Sequence, residues 1–295
     1  MRIPETGGMG FAGLEEDCET SGGRTRGKME MEGKKVLVVG TGKSGIAAAT
    51  LLHEVKAVPV MYDENEKVDR DAVIGRLPEG CRPEILTGNF PKGRREEFSL
   101  VVMSPGVPVE TPFVEGFVEK KIPVWGELEL GYAFLQGRLA AITGTNGKTT
   151  TTALVGQILA DHYASVFVVG NIGDPITHEV LSTRPESLTV AEVSSFQLET
   201  ARGFHPAVSA ILNITPDHLN RHHTMETYAA VKESIAARQT KDEVCVLNYE
   251  DARLREFAGR CPAKVIFFSS AHKLEDGYFL EEDYICRARK GMTER

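Results

Sequence analysis

Gly144-Thr145-Asn146-Gly147-Lys148-Thr149-Thr150 has the residue types and order of a phosphate-binding loop. Glycines let backbone N–H groups converge on an anion, and a following helix adds unpaired donors and a positive dipole end. A lysine next to a Thr then supplies a mobile charge for β/γ-phosphates and a hydroxyl for Mg²⁺. In a Walker A spacing the first glycine would fall at Ile142, but the glycine here is Gly144, so the loop is tighter than in ordinary P-loop NTPases. A plain Gly-rich turn with a surface Lys-Thr is the alternative.

Other candidate groups lie downstream. Glu192 follows the apolar Val190-Ala191, which buries it, and a buried carboxylate needs a partner. Mg²⁺ shared with Thr149 is one such partner and a structural ion pair is another. His218 follows Pro216-Asp217 and suits a metal or a substrate, or is an ordinary polar histidine. His222 and His223 lack a helical partner four residues on and read as surface residues; Lys232, taken bare, reads as a solvated lysine on a helix.

These residues need elements to hold them. Apolar runs at 139–142, 165–169, 188–193, 207–214, 243–247 and 264–268 read as strands. They alternate with helical stretches that begin near Thr150 and at 224–239, and a hairpin is expected over 278–288. Alternation of this kind means a mostly parallel α/β sheet with right-handed crossovers. Lys148, Thr149, Asn171, Glu192, His218 and Asn248 then all fall at or just past strand C-termini, which share one rim.

A second α/β unit precedes this one. The strand at 35–39 runs into Gly40-Thr41-Gly42-Lys43-Ser44-Gly45, an Ala-rich helix over 46–53 follows, and the strand at 57–62 ends in Asp63. Gly-x-Gly-x-x-Gly with an acid 18 positions after its last glycine suits a dinucleotide, but alone it signals only an anion on a helix N-terminus. Strands are expected at 82–86, 100–103 and 122–124, with helices over 111–120 and from 126. Ser104-Pro105-Gly106 is a strand-end turn, with or without a ligand. Gln136-Gly137-Arg138 marks a boundary, giving units over 33–137 and 138–295, and residues 1–32, polar and without apolar period, read as a disordered, dispensable leader.

Composition sets limits. With 41% hydrophobic and 26% charged residues the chain is an ordinary globular one. A net charge of −8 argues against nucleic acid as the main partner. No apolar run reaches membrane-spanning length, so no membrane partner is expected. Five scattered cysteines show neither a disulfide framework nor a zinc spacing, which fits a reducing cytoplasm.

Taken together, Gly144-Thr-Asn-Gly-Lys148-Thr149, Gly170-Asn-Ile-Gly173, Glu192-Val-Ser-Ser-Phe-Gln-Leu-Glu199 and Asn213-Ile-Thr-Pro-Asp-His218 resemble the ATP-dependent Mur ligases of peptidoglycan synthesis. The Ser-Ser-Phe-Gln-Leu-Glu stretch, the Ser104-Pro-Gly106 turn and Gly126-Glu-Leu-Glu-Leu130 resemble the D-glutamate-adding branch. Folylpolyglutamate synthase is similar in the ATP loop but not in those stretches, and a nicotinamide oxidoreductase leaves Lys148 and Glu192 unexplained.

The resemblance implies a fold and a reaction. The fold is an N-terminal Rossmann-like UDP-binding domain and a central P-loop ATPase-type domain, incomplete here, with the family's third, C-terminal domain missing. The reaction is ATP-dependent joining of UDP-N-acetylmuramoyl-L-alanine to D-glutamate through an acyl phosphate, by a cytoplasmic monomer. Gly144, Thr145, Asn146, Gly147, Lys148, Thr149, Thr150 and Asn248 would bind ATP, with Asn248 on adenine. Thr149 and Glu192 would hold one Mg²⁺, and His218 with a carbamylated Lys232 a second; Lys148, Glu192, His218 and Lys232 would be catalytic. Gly42, Lys43, Ser44, Asp63, Ser104, Gly106 and Asn171 would bind the UDP-substrate. Asn220 stands where the family usually has Asp. Without the third domain the chain is expected to bind UDP-substrate at best and to turn over poorly, or to act as a non-catalytic nucleotide-binding fragment.

Overall fold

The structure, a computed structural model, describes residues 30–171, 173–290 and 292–294. The first unit runs β1 (Lys35–Val39), α1 (Lys43–Glu54), β2 (Val58–Asp63), α2 (Arg70–Ile74), β3 (Glu84–Thr87), β4 (Leu100–Met103), α3 (Pro112–Val118) and β5 (Val124–Gly126). These strands form a parallel sheet in the order β3-β2-β1-β4-β5. β1 is Lys-Val-Leu-Val-Val, apolar on both faces, and four of its five residues are buried, as a central parallel strand requires. β1 and β4 are neighbours whose connections leave in opposite directions, and their C-terminal ends carry the Gly40–Gly45 turn and the Ser104 turn.

α4 (Glu127–Phe134) leads into the second unit: β6 (Arg138–Thr143), α5 (Lys148–Ala160), β7 (Val166–Gly170), α6 (Ile176–Glu179), β8 (Leu188–Glu192), α7 (Ser195–Leu198) and β9 (Val208–Ile211). It continues through α8 (Leu219–His222), α9 (Met225–Glu233), β10 (Val244–Asn248), α10 (Ala252–Ala258), β11 (Lys264–Ser269), β12 (Gly277–Glu281), β13 (Tyr284–Arg289) and β14 (Met292–Glu294). Among the described residues the sheet order is β14-β13-β12-β11-β10-β9-β6-β8-β7. It is parallel from β12 to β7, and β13 and β14 add an antiparallel edge. The expected hairpin is β12–β13, with β12 also paired to β11. The switch point lies between β6 and β9, so the loops after these two strands share a crevice.

α4 lies before the expected boundary at Gln136-Gly137-Arg138, yet it packs on α6 and α7 of the second unit as well as on α1. Leu128 and Leu130 are fully buried. Glu127 accepts bonds from the Thr177 N–H (2.9 Å) and hydroxyl (2.6 Å), and Glu129 accepts one from the Gly203 N–H (2.6 Å). No helix among the described residues is long and apolar enough to cross a membrane. Residues 1–29 of the expected leader lie outside the described residues; Met31 is buried in the core.

Gly45 has no room for a side chain, because a Cβ there would lie 2.0 Å from the Gly40 carbonyl oxygen. That approach tucks α1 under the turn. Gly45→Ala is expected to destabilise the chain by about 1–3 kcal/mol, read as a lower denaturant midpoint with unchanged slope.

Candidate active site

The phosphate loop is held from below by the chain leaving β9. Asn213 Oδ1 accepts from the Asn146 N–H (2.8 Å), and its Nδ2 donates to the Asn146 carbonyl (3.0 Å). The Thr145 hydroxyl donates to the Thr215 carbonyl (3.1 Å) and accepts from the Thr215 N–H (3.0 Å). α5 starts at Lys148, two residues before the expected Thr150. The reason is Gly147, whose φ of 81° is open to glycine and which turns the chain into the helix as its N-cap. No side chain caps this end, so its first-turn N–H groups are left for an anion. Lys148 Nζ is folded back on the carbonyls of Gly144 (3.0 Å) and Thr145 (2.8 Å). Thr150 is exposed in the same turn.

Glu192 ends β8 with 1% exposure. Its two oxygens accept from the Thr149 hydroxyl (2.8 Å) and from Asn171 Nδ2 (2.8 Å). Among the described residues no cationic side chain is a hydrogen-bond partner of Glu192, so the ion-pair alternative is not what the geometry shows there. A buried carboxylate and a hydroxyl at the foot of a phosphate loop are hard oxygen donors that fit Mg²⁺.

Lys232 is the largest departure from a bare reading of its sequence. It is 1% exposed, Nζ donates to the Gly144 carbonyl (2.8 Å) and lies 4.8 Å from the centre of the Tyr228 ring. The Tyr228 hydroxyl is 3.2 Å from that of Thr145. Burial, and then the Lys148 charge, pull the Lys232 pKa down to about 7, against a smaller opposing effect of Asp217.

The other expected residues divide. His218 is exposed at the start of α8 with φ 49°, its Nε2 3.4 Å from Asp217 and its ring 4.9 Å from that of Phe196. Among the described residues its side chain is partnered by Asp217 and Phe196, not by Glu192 or Lys232. Asn248 Nδ2 donates to the Leu212 carbonyl (2.9 Å) and Oδ1 accepts from the Glu250 N–H (3.0 Å), which shapes the end of β10. Asp63 accepts from the Thr41 N–H (3.1 Å) and hydroxyl (2.7 Å) and so holds the Gly40–Gly45 turn. Lys43 reaches the second unit, donating to the Gly173 carbonyl (2.5 Å) and pairing with Asp174 (3.1 Å). The Ser104 hydroxyl is buried, faces Gly40 and Gly45, and has no hydrogen-bond partner among the described residues. Gly42 and Gly106 are exposed and Ser44 is half-buried. Asn220, the departure from the family pattern, is exposed.

The surface placement expected of His222 is wrong: it is 2% exposed. Its Nε2 lies 2.9 Å from the Ser195 hydroxyl, its Nδ1 3.5 Å from Glu199, and its ring packs on Phe196 and Tyr228. Burial lowers its pKa below the usual histidine value, outweighing Glu199, which raises it. Tyr228, Asn213, Ser195, Glu199 and Arg221 had no assigned role from sequence. The signal available was the i, i+4 placement of Ser195 and Glu199 just after Glu192.

Two family models match the chain: "Mur ligase MurD-like, N-terminal domain" over residues 34–126 and "Mur ligase middle domain" over 142–288. A UDP-N-acetylmuramoylalanine–D-glutamate ligase of Lachnoclostridium phytofermentans is 52% identical over 257 residues, 87% of this chain and 57% of that protein. The enzyme of the same name from Lachnospira eligens is 54% identical with the same coverage. The chain thus spans 57% of the length of these two relatives. The fold is like that of a murein peptide ligase from Psychrobacter arcticus, with a TM-score of 0.56 at 14% identity over 89% of this chain and 60% of that one. It is also like UDP-N-acetylmuramate:L-alanyl-gamma-D-glutamyl-meso-diaminopimelate ligase of Neisseria meningitides, with a TM-score of 0.55 at 14% identity over 88% of this chain and 86% of that one.

The lowered pKa of Lys232 fixes a sign. Between about pH 7 and the ordinary lysine value of 10.5 the unfolded chain holds a proton on Lys232 that the folded chain lacks, so stability gains with rising pH across that window. Lys232→Met removes a buried ammonium, while the Gly144 carbonyl keeps its bond from Lys148. In CO₂-free buffer at pH 7 the variant is expected to match or exceed the parent, by up to about 1–4 kcal/mol. The gap should close towards pH 10, as read by urea unfolding of both proteins across the pH range.

Proposed function

The chain belongs to the Mur ligase family, and on that premise we propose that it serves ATP-dependent joining of D-glutamate to UDP-N-acetylmuramoyl-L-alanine. The alanine carboxylate takes the γ-phosphoryl group of ATP, giving an acyl phosphate and ADP. The D-glutamate amine then attacks the acyl carbon, the C–O bond to phosphate breaks, and the amine loses a proton as the amide forms. Transfer of this kind is mostly positioning and charge neutralisation. Backbone N–H groups at the start of α5 cradle the phosphates, and Lys148 leaves its loop carbonyls for the β/γ-phosphates. Thr149 and Glu192 would hold one Mg²⁺, and His218 with carbamylated Lys232 a second; these ions would neutralise charge on the transferring phosphoryl group.

The observation that carries this reading is the link between Lys232 and the phosphate loop through the Gly144 carbonyl. Carbamylation needs a neutral amine to attack CO₂, and a lysine with a pKa near 7 is partly neutral at physiological pH. The product is an anion, which suits a metal better than an ammonium does. Asn248 is assigned to adenine, Asn171 to the substrate, and the Gly42–Ser44 turn with Asp63, Ser104 and Gly106 to the UDP part. The names of the two relatives support the choice of D-glutamate. A cytoplasmic monomer completes the reading.

The test is ADP release by this chain and by its longest reading frame, given UDP-N-acetylmuramoyl-L-alanine, ATP and Mg²⁺, with D-glutamate, L-glutamate or no amino acid. Release that needs both UDP-substrate and D-glutamate supports the reading; release indifferent to both overturns it. Nucleotide binding without turnover in either form favours a non-catalytic binding protein. Lys148→Ala is expected to lower turnover at least about a hundredfold. In ¹³C-bicarbonate the parent should show a carbamate carbon resonance that Lys232→Ala lacks.

A further inference from the structure

Behind His218 lies a partly buried cluster that the proposed chemistry does not use. Arg221 donates from Nη2 (2.6 Å) and Nε (3.1 and 3.2 Å) to Glu199. Its guanidinium lies 4.4 Å from the centre of the Phe196 ring. Nη2 also donates to the Val107 carbonyl (3.2 Å), which belongs to the first unit. Both partners of the ion pair are largely buried, with 16% and 13% side-chain exposure, so the pair is not a solvated surface contact. His222 stands on the other side of Glu199, bonded to Ser195.

Phe196 is the shared platform, with Arg221, His222 and His218 all packed on its ring. The segment bearing it is fixed by a capping box between Ser194 and Gln197. α8 cannot hold its own direction. It is a single turn of four residues, flanked by His218 at φ 49° and His223 at φ 63°. One turn has no cooperative stability, and non-glycine residues at positive φ persist only where their surroundings impose them. Arg221, His222 and their partners impose it here. Val107, for its part, closes the Ser104 turn, since its N–H donates to the Ser104 carbonyl (3.0 Å).

We propose that Arg221, held by Glu199 and backed by His222 and Ser195, is a positioning residue that ties the Ser104–Val107 turn of the first unit to the His218 turn of the second. Occupancy of one turn by the UDP-substrate is thereby coupled to the metal–nucleotide site at the other. The ligands rest on the functional reading above; the tie rests on the geometry alone. The planar guanidinium meets three demands at once: two carboxylate oxygens, a carbonyl and an aromatic face. A lysine cannot meet all three.

Two measurements on Arg221→Met and Arg221→Lys test this. The first is amide hydrogen exchange without ligand. Loss of the tie should speed exchange about tenfold in residues 104–108 and 215–223 together, with β1 and β8 unchanged. Faster exchange confined to 215–223 overturns the tie. The second is calorimetric titration of UDP-N-acetylmuramoyl-L-alanine with and without Mg²⁺ and a non-hydrolysable ATP analogue. In the parent each ligand should tighten the other at least about fivefold, and in Arg221→Met that coupling should vanish while each single affinity holds within about twofold. Coupling that survives in Arg221→Met overturns the inference, as does its absence in the parent when both ligands bind. A parent that binds neither ligand overturns the functional reading, and exchange alone then decides the tie. If Arg221→Met does not fold, Glu199→Gln, which weakens the grip on Arg221, takes its place in both arms with the same expectations.

Discussion

Two ammonium groups share one carbonyl oxygen, and the arrangement of the second unit follows from that. Gly144 accepts from Lys148 on its own loop and from Lys232 on α9. The second bond draws a charged side chain into a place with 1% exposure, beside another positive charge. Such a site favours the neutral amine. It is tolerable because the Tyr228 ring lies under the ammonium and the loop carbonyl faces it. It also fixes the loop from above, while Asn213 and Thr215 fix it from below. The loop is therefore braced on both sides, by α9 and by the segment that follows β9.

The rim of the second sheet was legible in the sequence because central parallel strands are apolar on both faces and end in small or polar residues. β6, β7, β8 and β10 fall within a residue or two of their expected places, and Asn171, Glu192 and Asn248 follow from them. The one-turn helices α6, α7 and α8 were not legible, since four residues carry no period. The helix expected over 224–239 stops as an α-helix at Glu233 and tightens to a 3₁₀ turn over Ser234–Ala236. Lys232 and His222 illustrate a different gap. Each is polar in type and buried in fact, and only distant partners such as Gly144 and Ser195 explain the burial. For Lys232 only the family resemblance, not the neighbouring residues, argued against a solvated lysine.

α4 shows the same limit from the other direction. Gly126-Glu-Leu-Glu-Leu130 reads from sequence only as the start of a helix, yet both acids are buried and their pKa values are raised by burial. Glu127 is held by Thr177 at the start of α6 and Glu129 by the loop at Gly203, so each joins α4 to the second unit. Each also has one oxygen without a hydrogen-bond partner among the described residues. Carboxyls so placed are costly, and what they provide is a fixed seat for α4 between the two sheets.

Lys43 and Arg221 cross between the units in very different surroundings. Lys43 meets Asp174 with 62% and 51% side-chain exposure, a pair that water screens and that contributes little to stability. Arg221 crosses from a pair with Glu199 that is largely shielded from water, where loss of either partner leaves a charge poorly compensated. The shielded crossing therefore sets the relative placement of the Ser104 and His218 turns, whereas the exposed one leaves Lys43 energetically free to exchange Asp174 for a better anion. Lys43 sits at the first turn of α1, where a helix N-terminus already favours negative charge. An anion on that turn would meet a cation held by a water-screened pair with Asp174 and a bond to the Gly173 carbonyl (2.5 Å), both of them exposed.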